Sequence, residues 1–144
     1  MPKTLLDLAQ AMRNLKGAIA KSVNQYVIDY SFRILTHLEE KTPVDTSRAI
    51  SNWIVTPGAP SNYSLLPYYH GSHGSTRDSS MLVALASGQY EAKLKKPGEP
   101  LFITNNVDYI LDLEGGSSQQ APQGFLDESL LQARLEQKPF KLMY

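Results

Sequence analysis

The sequence predicts an α+β fold with a long N-terminal helix, a small, mostly antiparallel sheet and further helices that include a C-terminal one. Three observations lead to this prediction: an uninterrupted helical pattern near the start, two short runs typical of strands, and helical patterns between and after them. The 144 residues suit a single domain, because burying a core takes most of a chain of this length.

The N-terminal helix is predicted from apolar residues that recur every three or four positions from Leu5 to Leu38. Thr4 supplies an N-cap and Pro43 prevents continuation, which gives a helix of about 35 residues and ~50 Å. A domain of this size cannot cover such a helix, so its first half is expected to project and pack against another chain. Gly17 is the expected position of a bend, and two shorter helices that meet there are an equal alternative.

The next part of the chain is predicted to turn, form a strand and enter a long loop. Asp45 or Thr46 is placed to cap a short helical turn, and Trp53 is predicted to begin a strand that continues through Ile54 and Val55. Residues 57–80 contain three prolines, three glycines and many serines without periodicity. They predict a loop, and loops of this length are usually functional or mobile.

Three helices and a second strand are predicted after the loop. Ser80 is expected to cap a helix that ends near Leu94, and residues 101–104 form the strand. A brief helix follows Asn106 and stops at residues 115–116. The last helix covers residues 127–137, before a flexible C-terminal tail at about 138–144. Its leucines are predicted to face inward: Leu130, Leu131 and Leu135.

Composition and charge narrow the possible functions. Fourteen basic and fourteen acidic residues cancel, which argues against a dedicated nucleic-acid binder and favours self-association. The absence of cysteine removes disulfides, thiolate nucleophiles and cysteine zinc sites, and suits a reducing cytosol. The sequence has no signal-peptide pattern and no run of ~18 apolar residues, so we expect neither export nor a membrane partner.

The sharpest catalytic candidate is a metal site in the long loop. His70 and His73 are three residues apart, and Asp78 or Glu114 would complete the ligand set of a metallohydrolase. A metal site needs rigid ligands, whereas this segment is rich in glycine and serine, so a solvated loop is the preferred interpretation. Ser72 lacks the strand–turn–helix elbow that a serine nucleophile requires. We therefore predict no catalytic residue, no metal and no cofactor.

The paired carboxylates have structural explanations. Glu39 and Glu40 are predicted to lie on a solvated helix face. Asp112 and Glu114 do not face each other on a helix, so a salt bridge or cap is favoured over an acid–base pair.

The tyrosines of the long loop indicate a protein contact. Tyr63, Tyr68 and Tyr69 offer large contact areas at small entropic cost, and Arg77 is their one basic neighbour, so stacking on single-stranded nucleic acid is disfavoured. Packing of these rings onto their own domain is an equal alternative. The candidate interface residues are Tyr63, Tyr68, Tyr69, His70, Phe140 and Tyr144.

Two motifs resemble those of the head–tail joining, or tail-completion, proteins of tailed phages, with the lambda-type minor tail protein Z group as the closest match. The first is TPVDTSR at residues 42–48, followed by Trp53. The second is NNVDY at 105–109, LEGGS at 113–117 and QAPQGF at 120–125. The family usually has glycine at the position of Ser47, and an aromatic or polar residue at that of Gly116. The motif residues are Pro43, Asp45, Thr46, Trp53, Asn106, Tyr109, Glu114, Gly115, Gln120, Ala121, Pro122 and Gly124.

The resemblance implies a structural virion protein that carries no catalytic group. Proteins of this family form rings around the DNA channel of the neck, between the DNA-filled head and the tail. The implied partners are other copies in a hexamer or dodecamer, adjacent neck proteins such as an adaptor, stopper or tail terminator, and DNA as passing cargo. The alternatives are a tail-terminator or tail-tube ring protein and, remotely, the metallohydrolase.

We interpret the motif residues of this chain as joints that place the helices. Asp45 and Thr46 are expected to cap the exit of the long helix, Asn106 to turn the chain out of its strand, and residues 120–124 to set the entry to the last helix. Contacts to neighbouring rings are expected from the loop at 57–80 and from the C-terminal tail.

Overall fold

The long helix predicted at the N terminus is the largest element of the fold. The structure, a computed structural model, describes residues 3–116 and 124–143. Helix α1 runs without interruption over Leu5–Lys41, which is 37 residues and ~55 Å. The Thr4 hydroxyl caps it by accepting a hydrogen bond from the Asp7 amide at 3.1 Å. The prediction of one helix is confirmed, and the alternative of two helices meeting at Gly17 is wrong.

Two short strands form the antiparallel sheet. Strand β1 is Ile54–Pro57 and strand β2 is Leu101–Thr104, with Ile54 opposite Thr104 and Pro57 opposite Leu101. Trp53 was predicted to begin β1. It instead lies between a 3-10 helix at Ile50–Asn52 and the first residue of the strand, Ile54.

Three further helices complete the α+β architecture. They are α2 (Arg77–Lys93), α3 (Ile110–Glu114) and α4 (Phe125–Glu136). Helix α2 begins four residues before the predicted start, and Thr76 is its N-cap residue. The prediction that Ser80 caps this helix is wrong because Ser80 lies inside it, fully buried, with its hydroxyl bound to the backbone of the long loop.

The core lies between the C-terminal half of α1, the sheet, α2 and α4. Its buried hydrophobic residues are Ile28, Leu35, Leu38, Ala49, Trp53, Val55, Ala92, Val107, Ile110 and Phe125. Two polar contacts join α1 to α4: a hydrogen bond between His37 Nε2 and Glu136 Oε2 at 2.8 Å and an ion pair between Lys41 Nζ and Glu128 Oε1 at 3.2 Å.

Helices α2 and α4 bury rows in which most side chains are small, and several of their leucines remain exposed. The buried row of α2 is Ser80, Ala84, Gly88 and Ala92, and that of α4 is Phe125, Ser129 and Ala133. Leu130, Leu131 and Leu135 are 48%, 52% and 70% exposed, so the prediction that they face inward is wrong. Small side chains let helices approach closely, and a close approach leaves the leucines outside.

The first half of α1 lies outside this core, as predicted. The buried residues of the whole helix are Ser22, near its middle, and Ile28, Leu35, Leu38 and Glu39, in its second half. The apolar residues of the first half remain exposed, with Leu5 at 84% and Met12 at 63%.

Candidate functional site

The first motif begins where α1 ends. The Thr42 amide donates to the Leu38 carbonyl at 3.0 Å, and the Thr42 hydroxyl donates to the same oxygen. The Trp53 indole N–H donates to the Thr42 hydroxyl at 2.7 Å, and both side chains are buried. Since Pro43 has no amide hydrogen to continue the helix, this network fixes both the helix end and the tryptophan.

Ser47 adopts a left-handed conformation, which glycine would adopt without strain. Its φ is +72°, although it carries a Cβ, and its side chain is 1% exposed. The hydroxyl lies 2.8 Å from the Thr76 hydroxyl, at the N-cap position of α2. The backbone at this position therefore has the conformation that suits glycine, and the serine adds a side chain that contacts Thr76.

Asp45 binds the long loop and not a helix end. Its carboxylate accepts from the His73 amide at 2.6 Å, and its backbone carbonyl accepts from the Gly74 amide at 2.9 Å. The 3-10 helix has Ala49 at its N-cap position and no side-chain cap. The prediction that Asp45 or Thr46 caps a helical turn or the exit of α1 is therefore wrong for Asp45, which fastens residues 73–74 beside the base of α1.

The second motif packs directly against the first. The Asn105 side-chain amide donates to the Ala49 carbonyl at 3.0 Å. The Arg48 guanidinium is 3.4 Å from the Asp108 carboxylate and lies over the Tyr109 ring, 5.8 Å from its centroid. Burial raises the pKa of the Tyr109 hydroxyl, against the opposing effect of Arg48. Two segments about 60 residues apart in sequence therefore form one joint at the base of α1.

The joint surrounds a small cleft. Residues 43–49, Tyr109 and Leu113 line about 280 Å³ beside the turn.

Glu114 and Gly124 set the entry to α4. The Glu114 carboxylate accepts from the Leu126 amide at 2.9 Å, and its carbonyl accepts from the Gly124 amide at 3.0 Å. Gly124 has a φ of +88°, which glycine adopts without strain. A salt bridge or a cap was predicted for Asp112 and Glu114, and the Glu114 carboxylate forms a cap. Gln120, Ala121 and Pro122 lie outside the described residues.

Buried polar residues fasten the long loop to the core. The side chain of Asn52, 0% exposed, accepts from the Leu65 amide at 2.6 Å and donates to the Leu65 carbonyl at 2.9 Å. The Ser51 hydroxyl accepts from the Tyr68 amide, and that of Ser80 accepts from the Tyr69 amide, both at 3.1 Å. These contacts were not predicted from the sequence. A local indication of them is that two polar residues, Ser51 and Asn52, lie between the apolar Ile50 and Trp53.

Asn106 also holds the loop. Its side-chain amide donates to the Ser61 carbonyl at 2.9 Å and to the Tyr63 carbonyl at 3.1 Å. The Tyr63 and Tyr69 rings are 50% and 51% exposed, whereas Tyr68 is half-buried. The loop thus presents two tyrosine rings outward from a fixed backbone.

The proposed metal ligands do not converge. Among residues 3–116 and 124–143, no group of three or more His, Asp or Glu side chains is placed to hold a metal ion. His73 contributes its backbone amide to Asp45, Asp78 pairs with Arg77 at 3.2 Å, and Glu114 caps α4. His70 is exposed on the loop.

Glu39 contradicts the prediction of a solvated face. It is 0% exposed, and neither carboxylate oxygen has a hydrogen-bond partner among the described residues. Burial raises the pKa of Glu39 from 4.5 to about 9, against the lowering effect of the nearby Arg77 guanidinium. The carboxyl is therefore neutral at pH 7.

The C-terminal tail returns along α1. The Ser22 hydroxyl accepts from the Met143 amide at 2.7 Å, and the Phe140 ring meets the Tyr26 ring edge to face with 5.8 Å between centroids. Phe140 remains 49% exposed, and Tyr144 lies outside the described residues. The tail covers the middle of the helix and leaves residues 3–21 uncovered.

No family model, curated protein or solved structure matches this chain. Within the described ranges, no helix is long and apolar enough to cross a membrane.

Proposed function

We propose that this chain is a structural subunit of the neck of a tailed phage, where it forms a ring that joins the DNA-filled head to the tail. One observation carries the proposal: the two segments that resemble the family's motifs meet in one joint at the base of α1. Residues selected for a common architecture are expected to contact each other, whereas chance matches 60 residues apart have no reason to do so.

The conformation of Ser47 supports the same conclusion. The family's glycine position has a φ of +72° in this chain, so the turn has the geometry for which glycine is suited. The other motif residues that the structure describes also act between elements: Asp45 and Asn106 hold the loop, and Glu114 caps α4. We infer an architectural role and no catalysis.

The proposed partners are other copies of the chain in a hexamer or dodecamer, the neighbouring neck proteins, and DNA as passing cargo. The virion neck is the proposed location, and a tail-terminator or tail-tube ring is the alternative position. The outward tyrosines of the loop, Tyr63 and Tyr69, are proposed to contact the adjacent ring.

A deletion experiment tests the proposal. The coding sequence is removed from the genome that encodes it, and lysates are imaged by electron microscopy with and without the protein supplied from a plasmid. We expect unjoined heads and tails without the protein and joined particles on complementation. Complete infectious particles in the deletion lysate would refute the neck function. Gold labelling of tagged chains along the tail, away from the neck, would favour the tube alternative.

A further inference from the structure

The projecting half of α1 presents an apolar stripe. We define the helix stripe as Leu5, Leu8, Met12, Leu15, Ile19 and Val23, which recur every three or four residues and are 41–84% exposed. Together these side chains expose on the order of 600 Å², the upper end of what monomers expose and near the ~800 Å² per partner of a standard interface. The stripe is therefore large enough to form an interface.

A second apolar surface lies at the other end of the molecule. The apolar groove, about 470 Å³, is lined by residues of α1, β2, α3 and α4, including Ile34, Trp53, Ile103, Leu126 and Leu130. Leu111, 77% exposed, and Leu130, 48% exposed, form its rim. Grooves of this kind bind helices through apolar anchors at the spacing of the stripe.

The charges of the two regions are opposite. Residues 3–25 carry four basic and one acidic side chain, a net charge of +3, although the whole chain is neutral. Residues 108–136 carry six acidic and one basic side chain, a net charge of −5. Complementary potentials of this kind steer association and select the docking orientation.

Two acidic side chains next to the groove form no ion pair within the described part of the chain, and three others are already paired. Asp108, Glu128 and Glu136 already pair with Arg48, Lys41 and His37. The acids beside the rim leucines are Asp112 and Asp127. Neither forms an ion pair within the described part of the chain.

The stripe and the groove cannot meet within one molecule. Both involve α1, and a helix separates Met12 from Ile34 by ~33 Å along its axis. Contact therefore requires a second copy, and the interface is head-to-tail, because the two surfaces differ. Head-to-tail contacts that close by rotation generate rings.

We propose that the helix stripe of each copy docks in the apolar groove of the next copy, with Lys16, which flanks the stripe, near Asp112 and Asp127. This inference rests on the proposed function only for the closure of the ring. The contact itself follows from the two unpartnered apolar surfaces and their opposite charges.

Cross-linking between single-cysteine variants tests the contact, since the chain has no cysteine of its own. Met12→Cys is mixed with Leu130→Cys under mild oxidation, and Asn14→Cys, on the opposite side of α1, replaces Met12→Cys in the control. We expect a covalent dimer from Met12→Cys with Leu130→Cys and little from Asn14→Cys with Leu130→Cys. Equal yields from both mixtures, or efficient cross-linking of Met12→Cys to itself, would overturn the proposal; the latter would indicate pairing of two stripes.

Charge reversal provides the second measurement. Lys16→Glu is expected to weaken self-association measured by sedimentation velocity by about ten-fold. Asp112→Lys with Asp127→Lys is expected to do the same. A mixture of the two charge-reversed variants should recover association, because every contact between alternating copies then joins opposite charges. Thermal melts verify that each variant is folded. A wild-type chain that is monomeric at its highest soluble concentration, or charge-reversed variants that associate normally, would count against the contact.

The two proposals fail separately. Rings in electron micrographs without the Met12–Leu130 cross-link would retain the ring and exclude this interface. A specific cross-link together with joined particles in the deletion lysate would retain the interface and exclude the neck function.

Discussion

At Ser47 a non-glycine residue holds a left-handed backbone, with a φ of +72°. This conformation costs an L-residue about 1–2 kcal/mol, and the hydrogen bond to the Thr76 hydroxyl returns about 1 kcal/mol. The position therefore combines an unfavourable backbone with a favourable side-chain contact.

The first prediction compares two substitutions at this position. Ser47→Ala loses the hydrogen bond and keeps the strain, whereas Ser47→Gly loses the bond and relieves the strain. We expect Ser47→Gly to be about 1 kcal/mol more stable than Ser47→Ala in urea unfolding. Ser51, whose φ is not positive, is the matched control, and there alanine should be the more stable. The same order at both positions would contradict the argument.

Glu39 makes stability depend on pH. Its folded pKa is about 9 and its unfolded value is 4.5, so between these pH values the folded chain keeps a proton that the unfolded chain has released. The free energy of unfolding consequently falls as pH rises through this window, by up to ~1.4 kcal/mol per pH unit, and the contribution is flat below it and above it.

The second prediction is that Glu39→Gln removes this slope. Denaturant unfolding from pH 4 to pH 10 should show little difference near pH 4 and a variant that is increasingly more stable than wild type toward pH 9. Glu40→Gln, in which the adjacent and half-exposed carboxylate is changed, should follow the wild-type curve. Parallel curves for wild type and Glu39→Gln would show that the buried carboxyl does not keep its proton.

At the scale of the element, two helical glycines have opposite environments. A Cβ on Gly88 in α2 would lie 2.3 Å from Leu35 Cδ2 and 3.1 Å from Val55 Cγ2, whereas a Cβ on Gly17 in α1 meets nothing within 4 Å. Gly88 is thus required by packing, and Gly17 only weakens its helix.

The third prediction follows from this contrast. Gly88→Ala should destabilise the protein by about 1–3 kcal/mol, because Leu35 is 1% exposed and has little room to move. Gly17→Ala should stabilise it by up to ~1 kcal/mol through helix propensity. Thermal unfolding of both variants measures the difference, and a Gly88→Ala protein as stable as wild type would refute the close approach of α1 and α2.

For the whole molecule, α1 divides into a projecting half and a half that belongs to the core. The fourth prediction is that a chain lacking residues 1–20 folds cooperatively with a Tm within about 5 °C of the full chain, because the buried residues of α1 begin at Ser22. Circular dichroism melts measure this. Loss of the cooperative transition would show that the first half is part of the folding unit.

Much of the element order follows from the sequence. Thr4, Pro43 and the apolar period set the bounds of α1. The prolines and glycines predict the long loop, which is shorter than the predicted 57–80 because Pro57 belongs to β1 and residues 77–80 belong to α2. These features depend on local rules that act within a few residues, so they are readable without knowledge of the fold. The family resemblance and the ring stay predictions, supported by the way the two motifs meet.

The tertiary structure alone decided which faces are buried. On α4, the exposed leucines and the row Phe125, Ser129 and Ala133 both have helical spacing. Packing buries the row in which Phe125 enters the core and two small side chains allow a close approach. The burial of Glu39 and the binding of Asp45 to residues 73–74 likewise depend on partners distant in sequence. Local pattern thus determined the order of the helices and the bounds of α1, whereas contacts between distant residues determined how the helices pack and which apolar surfaces remain exposed.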